Sequence, residues 1–400
     1  MKITRVKHLL TCPQRNYIFV KIETDEDLYG WGEASLNWSE YEVITRLEQL
    51  APLLIGQDPT RIEDLWHFLY ARTYWHGGPI NMTALAGIDM ALWDILGKRA
   101  GLPLYQLLGG KSREGVLVYN HAIGDSFEET AEQVQGYLEQ GYKVVRAQVG
   151  EYGGVGNKPE SYAGERAEAT EYVERTDYFN AALYIENVPK LFEYLRERFG
   201  MELELFHDVH GKLTPIDAAR LAKNLEPYRL LFLEDPLRPE HRESFRLLRQ
   251  HTITPLGVGE IMSSKFDLLP LFQEQLIDFY RLPPIHGGGI TEARKIAALA
   301  EPYQIRSAFH GPDDIGPIAQ AASVHLSRSI HNFGVLEWAN FNTQTHDVVS
   351  GICSFRNGLA FPQELPGLGV DVNETIAAQF PYQRVPTPVT RLADGTMHVY

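Results

Sequence analysis

The chain has 400 residues, 44% of them hydrophobic and 22% charged, with a formal net charge of −15. It is too long for one ordinary domain, ordinary in composition for a folded protein, and too acidic for non-specific binding to nucleic acid or to an anionic membrane surface. Two cysteines, Cys12 and Cys353, make no disulfide framework, and no signal-peptide core or membrane-length apolar run is present, so a cytoplasmic protein is expected.

The chain opens on strands. Tyr17–Thr24 is rich in β-formers and ends in the turn Asp25-Glu26-Asp27; Leu28–Ala34 reads as its return strand. Helical periodicity follows from Glu40 to about Leu54, from Pro59 to about Tyr70, and from Met82 to Ala100, where Leu85, Ile88, Asp89, Leu92, Trp93 and Leu96 share a face. Strands followed by helices predict an α+β domain over residues 1–114.

From Val116 the pattern alternates. Strands are expected at Gly115–Asn120, Val144–Gln148, Leu203–Asp208, Leu230–Glu234, Leu256–Glu260, Phe279–Leu282, Ile305–Ala308 and Gly334–Trp338. Helical segments such as Pro215–Leu225, Glu240–Arg249, Thr291–Ala300 and Pro317–Ser327 lie between them. Eight such steps predict an α/β fold, a (β/α)8 TIM-type barrel over residues 115–345. The connection from Gln148 to Leu203 is twice the usual length, and its Gly-rich start, Val149–Pro159, would overhang the barrel mouth. Residues 346–400, rich in Pro and Gly, carry no barrel pattern and are expected to return to the first domain as part of the cap.

Three acids end successive strands. Asp208 closes LELFHD, Glu234 closes LLFLE and Glu260 closes LGVGE, each 26 residues from the next. That spacing is one βα step, which would bring the carboxylates together at the C-terminal mouth, where barrel active sites lie. A lone acid at a strand end is usually a cap or a loop charge. Three in register would repel one another unless a cation held them, and magnesium suits such an oxygen set.

Other polar groups flank the triad. His210 lies two residues past Asp208; Arg281, His310 and Glu337 stand at later strand ends; Arg146 and Gln148 share a face before it. A divalent ion with positioned bases suits abstraction of a proton next to a carboxylate. Protonation of a leaving group then gives dehydration; reprotonation of the carbon gives epimerisation.

These residues, with LLTCPQRNY, IGQDPTRIEDLW, MALWDILGKRAGLPLYQLLGG, HDVHGKLTP, EDPLRPE, RQHTITPLGVGE, HGPDDIGP, NFGVLE and RLADGTM, resemble the enolase superfamily from end to end. Within it the chain is similar to the mannonate dehydratase group, which includes the RspA-type starvation-sensing proteins. The resemblance implies Asp208, Glu234 and Glu260 as ligands of Mg2+, and His210 as the acid or base serving a leaving 3-hydroxyl. It implies Arg146 as half of the proton-abstracting pair, with Tyr152 as the candidate partner on the long loop. Asn37, His121, Arg281, His310, Asp314 and Glu337 would bind or orient the sugar acid. A hydro-lyase acting on D-mannonate or D-gluconate and giving a 2-keto-3-deoxy sugar acid is expected, as a homo-oligomer.

The chain departs from that group near the substrate. Its loop after Gln148 reads EYGGVG, shorter than in the group, with Tyr152 only six residues after Arg146. Asn37-Trp38-Ser39 stands where the group has a small Gly-Arg, Tyr74-Trp75-His76-Gly77-Gly78-Pro79 where it reads YWRRGP, and Tyr400 where it ends in tryptophan. These changes support an alternative: a divergent member with little mannonate dehydratase activity, acting on another acid sugar or as a metal-binding regulatory protein. An epimerase on the same scaffold is disfavoured, because Arg146 and Gln148 occupy the strand end where a KxK pair would stand.

Overall fold

In the computed structural model the chain is described over residues 1–72, 74–150 and 173–398. Tyr152 and most of the long connection lie outside the described residues. The elements run β1 (Ile3–Thr11), β2 (Tyr17–Thr24), β3 (Tyr29–Glu33), α1 (Glu40–Leu54), α2 (Ile62–Tyr70), α3 (Pro79–Ala100) and α4 (Leu104–Leu107). Then come β4 (Val116–Gly124), α5 (Phe127–Glu139), β5 (Val144–Val149), β6 (Val173–Tyr178), α6 (Ala181–Phe199), β7 (Glu204–Asp208), α7 (Pro215–Leu225), β8 (Leu233–Glu234), α8 (Phe245–His251) and β9 (Leu256–Val258). The series continues with α9 (Lys265–Gln273), β10 (Phe279–Tyr280), α10 (Ile290–Ala300), β11 (Arg306–Phe309), α11 (Pro317–Ser329) and β12 (Phe333–Glu337). The last segment holds α12 (Thr343–Val348), β13 (Val349–Ser350), β14 (Ser354–Arg356), β15 (Leu359–Phe361), β16 (Asp371–Val372), α13 (Glu374–Ala377) and β17 (Thr387–Arg391).

The fold is a (β/α)8 barrel. Strands β4, β5, β7, β8, β9, β10, β11 and β12 follow one another in a single sheet that closes through β12 and β4. The hairpin β14–β15 adds to this sheet beside β4. By packing, the chain forms two units: Met1–Val118 with Gly259–Phe272 and Tyr280–Gln383, and Tyr119–Val258 with Gln273–Phe279 and Arg384–Tyr400.

In the first unit, β1, β2 and β3 make an antiparallel sheet backed by α3. Pro79 opens α3 and Gly101, at φ 66°, closes it, the arrangement expected of a helix bounded by those residues. Two carboxylates from this region cap helices far along the chain. Asp89 accepts from the backbone and hydroxyl of Thr291 at the start of α10, and Glu33 accepts from the Gly316 and Ala319 amides at the start of α11. Gly289 and Gly316 hold the cap positions because a Cβ there would meet those carboxylates at 2.3 and 2.7 Å. Burial pushes both carboxyls up to about 7. Residues 371–383 also bond within this unit: Asp371 accepts from the Trp31 indole at 2.7 Å, Glu374 from Lys21 at 2.7 Å, and Ala377 O from the Thr11 hydroxyl at 2.8 Å.

In the second unit, α5 starts at Ser126, whose hydroxyl accepts from the Glu129 amide, and α7 at Thr214, followed by Pro215. Parallel pairing joins β4 to β5, β5 to β7, β7 to β8 and β8 to β9. The terminal segment adds β17 in parallel to β6, and the His398 ring stacks on Phe179 at 4.6 Å while its Nε2 lies 3.1 Å from Lys212 O.

Several boundaries differ from expectation. β4 runs four residues past Asn120, to Gly124. The strand expected from Leu230 begins at Leu233, after Arg229 in a left-handed conformation at φ 47°. The strand expected to reach Glu260 stops at Val258, because Gly259 takes φ 125°. The helix expected from Glu240 starts as a 3-10 segment, Pro239–Ser244, before α8. No helix among the described residues is long and apolar enough to cross a membrane.

Candidate active site

The polar residues picked out in the sequence gather in two sets, one in each unit. In the second unit the register pairs His121 with Arg146 and Asp208 with Glu234. The Arg146 guanidinium lies 3.2 Å from Asp208, 3.8 Å from Glu234 and 3.0 Å from His121 Nδ1. Arg146, Asp208 and Glu234 are all buried, so these charges hold one another out of water. Gln148 Nε2 donates to the Asp208 carbonyl at 3.2 Å. Asp208 and Glu234 end β7 and β8, as their apolar strands followed by an acid predict.

Past Asp208 the backbone turns sharply. His210 takes φ 56°, a left-handed conformation that few residues other than glycine adopt. Its amide donates to Asp208 Oδ1 at 2.7 Å, and its Nδ1 lies 3.3 Å from Oδ2. The Val209 amide donates to Glu234 O at 3.0 Å and the Gly211 amide to Asp235 O at 2.8 Å. This leaves the His210 side chain 44% exposed beside a fully buried carboxylate, able to exchange a proton with a bound molecule.

Asp235 was missed in the sequence reading. It follows Glu234 in EDP, is buried, and sits at φ 32°. Its carboxylate and that of Glu234 belong to the set of acidic groups close enough to hold a metal ion. An acid directly after a strand-end acid was the available signal. Also missed was His207, beneath Asp208. It is fully buried, with Nδ1 3.0 Å from Ala147 O and Nε2 2.7 Å from the Tyr184 hydroxyl, and burial pushes its imidazole down to about 4.

In the first unit Arg281 is fully buried between two acids, 3.3 Å from Glu260 and 2.9 Å from Glu337, and it donates to Ala308 O at 3.1 Å. Glu337 also accepts from the Gly311 amide at 3.0 Å. His310 lies with Nε2 3.8 Å from Glu260. Asn37 donates to Asp314 at 2.8 Å, and burial pushes the Asp314 carboxyl up from its ordinary value. Two buried atoms in this set, His310 Nδ1 and Asp314 Oδ1, have no hydrogen-bond partner among the described residues, and a ligand hydroxyl would satisfy them. His286, unmarked in the sequence reading, lies 6.4 Å from His310 between ring centroids, and burial pushes it down to about 4. Trp38, beside Asn37, is half exposed at φ 61°, and Tyr74 and Trp75 are exposed.

Comparison with known proteins agrees with this geometry. Residues 6–109 match the N-terminal domain of the mandelate racemase / muconate lactonizing enzyme family, and residues 129–376 match the enolase C-terminal domain-like family. A D-mannonate dehydratase of Rhizorhabdus wittichii is 47% identical over 404 residues, covering 99% of each chain. The D-galactonate dehydratase family member RspA of Halomonas elongata is also 47% identical, with 99% of each chain covered. An enolase from Pantoea ananatis, solved with bound D-gluconate and Mg, superposes with a TM-score of 0.93 at 41% identity over 99% of each chain. With both family domains matched and relatives of this similarity along the whole length, the chain belongs to the enolase superfamily, among the D-mannonate dehydratases and RspA-type proteins.

Proposed function

We propose that the chain is a magnesium-dependent acid-sugar dehydratase that converts D-mannonate or D-gluconate to a 2-keto-3-deoxy sugar acid. The observation that carries this reading is the cross-strand pair Asp208 and Glu234, buried side by side with the half-exposed His210 ring leaving the same turn. Two adjacent buried carboxylates fit a hard divalent cation, and Asp208, Glu234 and Glu260 are the proposed ligands, with Asp235 next to them. Bound there, magnesium supplies the positive charge that holds the substrate carboxylate and stabilises the charge developing as the α-proton leaves.

The chain's own residues do the rest. Arg146 serves the face from which the α-proton is taken, with Tyr152 as the proposed partner base. His210 gives a proton to the departing 3-hydroxyl, which leaves as water, and the resulting enol becomes the 2-keto product. His121, Arg281, His310, Asp314, Glu337 and Asn37 bind or orient the sugar acid; the open atoms of His310 and Asp314 support hydroxyl recognition. The proposal includes a cytoplasmic homo-oligomer, in keeping with two buried free thiols. The domain division proposed is a cap over 1–114, a barrel over 115–345 and a returning tail over 346–400.

A second reading, a relative working on another acid sugar or holding metal without turnover, is favoured by the half-exposed Trp38 indole beside Asn37. The test of both is turnover of a panel of acid sugars headed by D-mannonate and D-gluconate, with and without magnesium. Metal-dependent 2-keto-3-deoxy product supports the dehydratase. No product across the panel, with magnesium still bound, overturns it in favour of the second reading.

A further inference from the structure

The backbone ladder between β5 and β7 ends early. It pairs Val144 with Glu204, Val145 with Leu205 and Arg146 with Phe206, and goes no further. Beyond that rung, side chains join the strands. Gln148 Nε2 reaches Asp208 O, Arg146 reaches the Asp208 carboxylate, and His207 Nδ1 reaches Ala147 O, at 3.2, 3.2 and 3.0 Å. Side chains alternate along a strand, so His207 points away from Asp208, towards α6. There Tyr184 meets it, in the first turn of a helix whose start is fixed by Asn180 accepting from the Ala182 and Leu183 amides.

The pair has one satisfied arrangement. A carbonyl can only accept, so His207 Nδ1 carries the proton and donates to Ala147 O. Nε2 is then an acceptor, and the Tyr184 hydroxyl donates to it at 2.7 Å. Both side chains are fully buried, walled by Phe179 against Tyr184 and Phe192 against His207. Loss of the Tyr184 hydroxyl takes from the buried His207 Nε2 the donor it has here, while the hydroxyl itself also lies 3.4 Å from Asp208 O.

We infer that the Tyr184–His207 pair is a positioning device: it holds β5 against β7 past the last rung of their ladder and so sets Arg146 against Asp208. The pair acts through backbone: His207 holds Ala147 O, and the Tyr184 hydroxyl lies 3.4 Å from Asp208 O. Ala147 lies between Arg146 and Gln148, so pulling on its carbonyl orients both of their side chains at once. The purpose of that spacing, a metal ligand beside a base, rests on the dehydratase reading.

The test compares wild type with His207→Leu, His207→Asn and Tyr184→Phe. Magnesium affinity is measured by calorimetry on metal-stripped protein, and kcat and KM on the acid sugar that the wild type turns over. An outer partner of a metal ligand typically carries ~10–100-fold in affinity or rate. His207→Leu is expected to lose magnesium affinity in that range and, at saturating magnesium, to lower kcat while KM holds. His207→Asn places an amide N–H where Nδ1–H stood and is expected to recover most of both. The inference is overturned if folded His207→Leu keeps wild-type affinity and kcat, or if His207→Asn is no better than His207→Leu. Should His207→Leu fail to fold, Tyr184→Phe decides: a several-fold loss of affinity and kcat supports the pair, and unchanged values overturn it. A wild type that binds magnesium but turns over nothing sinks the dehydratase reading alone, and the magnesium measurements still judge the pair.

Discussion

Arg281 and Glu337 form a fully buried ion pair, 2.9 Å apart, in which the arginine also faces Glu260. Arg281→Met should therefore take the guanidinium away from two buried carboxylates. Breaking a buried pair from one side costs ~3–5 kcal/mol. Thermal and urea unfolding at neutral pH should show that loss, and an unchanged midpoint would mean that water reaches Glu260 and Glu337 freely.

Glu234→Gln should weaken magnesium binding by at least the ~10–100-fold that even outer partners of a metal carry. Calorimetry on the metal-stripped protein reads this directly. Unchanged affinity would remove Glu234 from the ligand set and shift attention to its neighbour Asp235.

His210→Asn should abolish dehydration and spare the metal. Loss of a positioned acid or base lowers rate by ~10²–10⁴-fold. Magnesium affinity should stay near wild type, because Asn can keep the backbone turn at φ 56°. Retained turnover would take the proton-donor role away from His210.

Stability should fall as pH drops from about 6.5 towards 4. His325 accepts from the Tyr105 amide at Nδ1 and faces Leu368 O through Nε2, and burial pushes it down to about 4. Its folded value lies below its unfolded one, so the unfolded chain binds the proton first and gains on acidification. Nothing is lost above pH 6.5, and the loss amounts to ~3 kcal/mol per ring by pH 4. His207 and His286 act in the same direction. His325→Asn should flatten the decline in melting temperature between pH 7.5 and 5.5; an unaltered decline would assign it to other groups.

What the sequence made legible follows from how local the signal is. Asp208 and Glu234 were readable because each ends an apolar run, and a barrel has one end for such residues. Asp89 was visible as an inward-facing acid on α3, but its partner, the start of α10, was not, since the two are 202 residues apart. His121 came only through resemblance: β4 continues through Asn120 and His121, where polar residues hide the strand. Tyr184 and His207 carry no periodic signal at all, because what joins them is a helix packing on a strand. The pairing of β17 with β6 was equally silent.

That last pairing bears on how the protein is made and handled. His398 rests on the loop carrying Lys212, 186 residues upstream, two positions from His210. Contacts of such long reach form late and slowly. A ribosome will have released all eight barrel strands before β17 can dock beside β6. A change in β17 or at His398 therefore reaches the loop that holds His210, although it lies far from that loop in sequence.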